Sequence, residues 1–324
     1  MSTNPVNTPP LPGYFSLDVS VIRVTGEKAA VFLNGQFTND IKNLESGEAN
    51  YNLFLTQKGK IVADLTVYRL KDDFLLLIPK PFASKVLEPL SRLAPLSRVM
   101  LADETTGYSC FHSLVIASPD VRRGEAIQME HMDRHVADAP RDDGIPVHPF
   151  SINRLGPEGT DWIVQREQED KFVAALGKEE VTELDFEAQE IIRIENGIGH
   201  VGIDATEENL PQEAGLMRAI SLTKGCYLGQ EVVARLHYRG HVNKILVGLK
   251  IEGKKPSVGV PIFSEGKEVG KITSAVFSPT LSAPLALGYV PYAKKDPGNK
   301  FQVGPSHLEA TIIPLPLTSS PASP

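Results

Sequence analysis

Cysteine is nearly absent: Cys110 and Cys226 are the only two in 324 residues. Two thiols cannot build a disulfide framework, so a reducing, cytoplasmic setting is the expectation. No C-x-x-C pair occurs, which excludes a thioredoxin-like motif or a zinc ribbon, and no metal site is expected. Two cysteines also fall short of the four ligands of an ordinary iron–sulfur cluster. No apolar run approaches the length of a bilayer-spanning helix. Positive charge is in deficit: the formal net charge is −7, which argues against broad nucleic-acid or membrane-surface binding. The start, "MSTNPVNTPPLPGYF", lacks the basic and apolar regions of a secretion signal. Residues 1–15 read as a flexible leader and 318–324 as a flexible tail.

What remains is ordinary globular material, long enough for two or three domains. "DVSVIRV" alternates as a strand does. "TGEKAAVFLNG" reads as a short helix capped by Thr25 and stopped at Gly35. "ANYNLFLTQKGKIVADLTVYRL" reads as two strands around the turn Gln57 to Lys60, and "DFLLLIP" as a third. "PFASKVLEPLSRL" has a helical apolar stripe that Pro89 should kink or end. "YSCFHSLVIAS" opens another strand-and-helix region, and residues 120–149 read as loops with short edge strands. "EAQEIIRIENG" is a helix closed by Asn196-Gly197. From about Val242 the chain becomes short strands split by glycine and proline, the pattern of a small β-barrel or sandwich. The expected class is α+β: antiparallel sheets with helices over residues 16–241, in two subdomains, then a barrel over 242–317.

Three places invite chemistry. On the strand "KIVADLTVYRL", Ile61, Ala63, Leu65 and Val67 point one way; Val62, Asp64, Thr66 and Tyr68 point the other. A four-residue turn sets Thr56 opposite Ile61 and Tyr51 opposite Thr66, so Tyr51, Asp64, Thr66 and Tyr68 share a face. Two aromatics around a carboxylate suit a flat, nitrogen-bearing ring that stacks and donates to the carboxylate. The alternative is an amphipathic strand with its polar side in water. In the helix before Gly197, Glu195 falls on the apolar stripe of Leu184, Ala188, Ile191 and Ile192, in the last turn, where the dipole disfavours negative charge. Glu195 needs a partner: a ligand donor, or a structural one such as Arg193, Arg218 or a backbone amide. The literal G-x-G-x-x-G from Gly197 to Gly202 follows a helix, not a strand, so it is no dinucleotide fingerprint.

The third place is "LTKGCYLGQEVVARLHYRGH". Cys226 lies between Gly225 and Gly229, whose backbones can approach a neighbour closely. His237 or His241 could serve Cys226 as a base, and nearby cations would lower its pKa. A small buried cysteine is the alternative, and it is the reading for Cys110. Lys224, Arg235, Arg239 and Lys244 suit carboxylates or phosphates, or else form a solvated face between domains.

The octapeptide "KGCYLGQE" — Lys224, Gly225, Cys226, Tyr227, Leu228, Gly229, Gln230 and Glu231 — resembles the signature of the YgfZ family, folate-binding proteins similar to the glycine-cleavage T-protein. "FLNGQFTNDI", "LTQKGKIVADLTVY", "RIENGIGHVGIDATEENLPQEAGL" and "GKITSAVFSPTLSAPLALGYV" extend the resemblance over most of the chain. It implies a tetrahydrofolate site in a central cavity. Asp64 falls at the T-protein's catalytic acidic residue, Tyr51 and Tyr68 at pterin-lining tyrosines and Glu195 at its pterin-binding glutamate. Arg235 and Arg239 are candidates for the folate tail, and Cys226 for a reactive thiol. The family's implied role is assembly or repair of 4Fe–4S proteins, with effects on tRNA modification, and iron–sulfur client or assembly proteins as partners. The T-protein lacks the cysteine octapeptide, yet this chain keeps Asp64. Folate-dependent aminomethyl transfer therefore stands as the alternative function. A non-catalytic scaffold using Cys226 as a partner contact stands as a third.

Overall fold

The computed structural model describes residues 9, 11–114 and 149–317. The loops and edge strands expected over 120–148, and the tail at 318–324, lie outside the described residues. Two five-stranded sheets and a closed six-stranded barrel make up the frame. The first sheet has the order β3-β4-β5-β2-β6. Its strands are β2 (Val19–Thr25), β3 (Ala49–Leu55), β4 (Ile61–Arg69), β5 (Phe74–Pro79) and β6 (Met100–Asp103). The second has the order β10-β1-β7-β9-β8. It is built from β1 (Gly13–Ser16), β7 (Tyr108–Leu114), β8 (Pro149–Ser151), β9 (Gly159–Gln165) and β10 (Thr182–Glu183). Residues 13–15, expected in the leader, thus belong to a strand, β1, paired on both sides by β7 and β10.

Alternation dictates the layers. One face of the first sheet buries Val24, Phe54, Ala63, Leu65, Val67 and Leu76 beneath α1 (Ala29–Gln36) and α2 (Ala83–Leu93). The opposite face sends Val21, Tyr68, Leu75 and Leu77 against Cys110, Phe150 and Ile163 of the second sheet. That sheet's outer face carries Phe111, Trp162 and Val164 under Phe172 and Leu176 of α3 (Glu169–Lys178). The order of layers is helix, sheet, sheet, helix, and polar side chains between the sheets are held away from water.

Two expected helix details differ. Thr25 ends β2 and caps nothing, because Gly26 turns the chain first, at φ +124, with a site for Cβ only 2.6 Å from the Arg98 carbonyl. α1 then runs through Gly35 to Gln36. α2 runs through Pro89, held across the missing hydrogen bond by the burial of Val86 and Leu90 on either side.

The barrel has the order β11-β14-β13-β12-β15-β16. Its strands are β11 (Lys244–Ile251), β12 (Pro261–Ser264), β13 (Lys267–Ser278), β14 (Ala283–Pro291), β15 (Lys300–Val303) and β16 (Leu308–Ile313). Within the barrel, β15 is the strand the sequence pattern does not predict; its "KFQV" is too short to show a period. α4 (Phe186–Glu195) sets Ile191 and Ile194 against Val276, Leu285 and Leu287 of the barrel wall. It ends as expected at Asn196, with Gly197 at φ +68. α5 (Gln230–Arg239) buries Val233 against Leu53, Leu55 and Ile61 of the first sheet.

Candidate functional site

The β3–β4 hairpin brings the first residues together. Tyr51 pairs with Thr66, the register read from the sequence. The Tyr51 hydroxyl donates to Asp64 Oδ2 at 2.9 Å. The turn end departs from expectation, because a bulge near Val62 sets Leu55 opposite Ile61. Thr56 faces Lys60 instead, accepting its N–H at Oγ1 (3.1 Å). The extra residue turns Ile61 to the face of Leu53 and Leu55, while Val62 packs with Ala63 beneath the helices.

Charge gathers over this pair. The Arg218 guanidinium lies over the Tyr51 ring, 4.8 Å from its centroid. Burial raises the Tyr51 hydroxyl well above its usual pKa and the Asp64 charge adds to this, against the pull of Arg218 and Arg154. Burial likewise raises the Asp64 carboxyl, opposed by the Tyr51 hydrogen bond and the charges of His200 and Arg154. Asp64 is therefore a carboxyl whose charged form burial disfavours, with a tyrosine on one side and basic side chains from two other segments around it.

Arg154 comes from the loop between β8 and β9 and is clamped by Asp161. Its Nε lies 2.8 and 3.0 Å from the two Asp161 oxygens, and its Nη2 lies 2.6 Å from Oδ2. Nη2 also reaches Thr66 Oγ1 (3.2 Å) and the Tyr68 hydroxyl (3.1 Å). Asp161 is fully buried and takes two further bonds, one from the Tyr68 hydroxyl and one at 2.6 Å with His112 Nδ1. Burial would raise the Asp161 carboxyl, but the Arg154 charge and the bonds from His112 and Arg154 hold it down at about 2. Burial pushes the His112 imidazole below its ordinary range, against the pull of Asp161. Its Nε2 is buried without a partner among the described residues, against Gly159, where a Cβ would come within 2.5 Å.

Tyr68 belongs to this buried cluster. Its ring is wholly buried and edge-on to Phe150, centroids 4.6 Å apart. Tyr51 keeps a half-exposed ring, whereas Tyr68 has no open face for a ligand to stack upon. The face predicted for Tyr51, Asp64, Thr66 and Tyr68 therefore divides into an accessible pair and a buried pair, with Arg154 along the seam.

Glu195 meets neither of its suggested arginines. Its carboxylate accepts from the Ser278 hydroxyl, the Thr280 hydroxyl (2.9 Å) and the Thr280 N–H (3.3 Å), tying the end of α4 to the β13–β14 turn. Arg193 is buried instead between Glu190 (2.6 Å) and Asp204 (2.6 Å). Asp204 also accepts the His200 N–H at 3.0 Å and is fixed by Ser274 of the barrel at 2.7 Å. That hub holds the glycine-rich turn, which carries His200, toward Asp64. The turn is the helix-ending loop expected, not a nucleotide cradle.

The octapeptide is used mainly as an anchor. Lys224, read as a cation for carboxylates or phosphates, is buried with its Nζ on three carbonyls: Asn34 (2.7 Å), Phe37 (2.5 Å) and Asn39 (2.7 Å). It closes the carboxyl end of α1 and the chain just beyond, where unpaired carbonyls gather. Burial lowers Lys224 to about 8, with Asp40 pulling upward. Tyr227 is buried below α5, which pushes its hydroxyl to about 12. Gly229, at φ +84, abuts the hairpin turn so closely that a Cβ would meet the Thr56 carbonyl at 2.6 Å. Gly225 is unstrained and open around its Cα. Gln230 and Glu231 begin α5, with Glu231 exposed in its first turn.

Cys226 is exposed, and among the described residues no group of three or more His, Cys, Asp or Glu is set to hold a metal. Cys110 is buried, its thiol pushed to about 12, as its strand position suggested. Arg235 and Arg239 are exposed on α5 and have no ion-pair partner among the described residues. The basic residues that bear on Tyr51 and Asp64 are Arg154, Arg218 and His200. Lys244 lies over the Tyr289 ring at 4.9 Å. Arg154, Asp161, His112 and His200 escaped sequence reading. A signal was present: Asp161 in "GTDWIV" is the one charged residue of its mostly buried strand, and it stands directly opposite His112 of "YSCFHSLV" in the ladder.

Residues 17–122 match the GCVT N-terminal domain, and residues 244–318 match the Glycine cleavage T-protein C-terminal barrel domain. The crystal structure of glycine cleavage system aminomethyltransferase T from Bartonella henselae superposes with a TM-score of 0.78 over 94% of this chain and 86% of that one, at 22% identity. The chain has the T-protein fold. Relatives match the chain in sequence over more than four-fifths of their own length. An aminomethyltransferase of Streptomyces avermitilis is 27% identical over 320 residues, covering 94% of this chain and 86% of its own. One of Thermus thermophilus is 28% identical over 302 residues, covering 90% and 83%. Among the described residues no helix of this T-protein fold is long and apolar enough to cross a membrane.

Proposed function

We propose that this protein binds tetrahydrofolate at the Tyr51–Asp64 site and handles one-carbon units as an aminomethyltransferase does. The observation that carries the reading is the hydrogen-bonded Tyr51–Asp64 pair, raised by burial and ringed by Arg154, Arg218 and His200. The residues suit the ligand. A carboxylate offers lone pairs beyond the one Tyr51 occupies, enough to receive ring N–H groups. The half-exposed Tyr51 ring offers a flat apolar edge. Reduced folate, when bound, supplies the nitrogens that carry a one-carbon unit. Asp64 would accept from those N–H groups and hold or release a proton at its carboxyl. Relatives named aminomethyltransferase, matched over 86% and 83% of their length, support this reading above others.

The remaining candidates enter on stated terms. Glu195 would contact a ligand by exchanging its Ser278 and Thr280 partners. Arg235 and Arg239, free on α5, would meet an anionic tail that extends beyond Arg218. The test is calorimetry with reduced folate, followed by methylene-tetrahydrofolate formation from an aminomethyl-lipoyl carrier protein. Binding without transfer removes the transferase activity, and no binding removes the site.

Cys226 favours a second reading, an accessory role for iron–sulfur proteins. Its thiol is exposed, yet its loop is pinned by Lys224 on one side and Gly229 on the other. A strain lacking the protein should lose activity of 4Fe–4S enzymes, and a Cys226→Ala copy should restore it poorly. Full rescue by that copy removes the thiol from the account.

A further inference from the structure

We propose that Arg154 is the positioning residue of the Tyr51–Asp64 site: a fixed cation, locked by Asp161 between the two sheets, that sets which proton state Asp64 presents to a ligand. The inference deepens the reading of Tyr51–Asp64 as the ligand site and rests on it. Three placements lead to Arg154. Its Nη2 lies 3.2 Å from Thr66 Oγ1. Thr66 follows Asp64 by two residues on one strand, so both side chains rise from the same face about 7 Å apart. Across the ladder, Thr66 stands opposite Tyr51, whose hydroxyl holds Asp64. The guanidinium is therefore bonded to the strand neighbour of Asp64, and its charge bears on the carboxyl.

Its own support is rigid. Asp161 grips it in fork fashion, and Asp161 is in turn held by Tyr68 and His112. The backbone is pinned from the opposite side. Arg218 donates from Nη1 to the Asn153 carbonyl (2.5 Å) and from Nη2 to the Arg154 carbonyl (3.3 Å) while lying over Tyr51. One exposed arginine thus bridges the ring at the mouth of the site to the segment that carries the buried one. The groups facing Asp64 are Tyr51 from β3, His200 from the turn after α4 and Arg154 from the β8–β9 loop. Of these, Arg154 is the permanent charge. Burial presses Asp64 toward its neutral form, and Arg154 opposes that independently of pH.

The test is a pH titration of the ligand-free protein, with the Asp64 carboxyl followed by carbon-13 NMR and assigned by its loss in Asp64→Asn. Arg154→Met should raise the Asp64 midpoint by about one unit or more, the usual effect of removing an adjacent cation. Arg154→Lys should lie between the two. Because Arg154→Met leaves the buried Asp161 without its cation, the double variant Arg154→Met with Asp161→Asn supplies a second background for the same reading. An unchanged midpoint in a folded Arg154→Met or double variant overturns the proposal. Ligand-free titration separates it from the site itself: a shifted midpoint in protein that binds no reduced folate leaves Arg154 in place and removes the folate.

Discussion

At the Tyr51–Asp64 site the ionisable groups are buried and answer to one another; around Cys226 the buried cation, Lys224, answers to backbone carbonyls and leaves the thiol in solvent. The first arrangement perturbs the groups that would touch a ligand. The second fixes a loop. The perturbed groups that would touch a ligand therefore lie outside the octapeptide, whose own perturbed groups, Lys224 and Tyr227, serve as anchors. The octapeptide contributes mostly anchors, whereas the site draws on residues scattered from β3 to the loop before α5.

The contrast can be broken first at Asp161. Asp161→Ala removes the partner of Arg154, Tyr68 and His112 and strands a buried cation, so denaturant unfolding should show a loss of about 3–5 kcal/mol. A loss under about 1 kcal/mol would mean that the buried cluster does not support the sheets. Next comes Lys224→Met, which leaves three carbonyls without their ammonium. A loss of about 2 kcal/mol is expected, with faster modification of Cys226 by an aromatic disulfide as its loop loosens. pH sharpens this. Folding lowers Lys224 from 10.5 to about 8. The unfolded chain then holds more protons between those values, so stability contributed by this group rises with pH across that window. The Lys224→Met protein should lack that component of the rise.

Gly229→Ala should cost about 1–3 kcal/mol, because φ +84 and the Thr56 carbonyl both oppose a Cβ. Gly225→Ala, at an open position, should cost under about 1 kcal/mol and serves as the control. The smallest stability effect is expected at Asp64. A carboxyl raised by burial stabilises the fold at low pH and loses that contribution as pH rises through its folded midpoint. Asp64→Asn should therefore fold within about 1 kcal/mol of the parent at neutral pH. A large loss would make Asp64 a structural residue.

Much of this was legible from period and punctuation. The hairpin register that pairs Tyr51 with Thr66, the helix ending at Gly197 and the barrel after His241 follow from alternation, helix stops and glycine spacing. The bulge near Val62 was not, since a bulge is decided by the fit of Ile61 against Leu53, Leu55 and Val233 across other segments. Asp64 and Tyr51 were legible because both lie on one hairpin. Arg154, His200 and Arg218 were not, because only tertiary packing brings three distant loops to that hairpin. Glu195 shows the same limit in reverse: its need for a partner could be read locally, but not that the partners are hydroxyls of the barrel.

The most direct measurement is calorimetric titration of three proteins with reduced folate: the parent, Asp64→Asn and Cys226→Ala. Saturable binding by the parent and by Cys226→Ala, with affinity lost or cut at least about tenfold in folded Asp64→Asn, is the result expected if the carboxyl receives the ring. Equal affinity in the parent and Asp64→Asn, or binding lost only in Cys226→Ala, would contradict a folate site at Tyr51–Asp64.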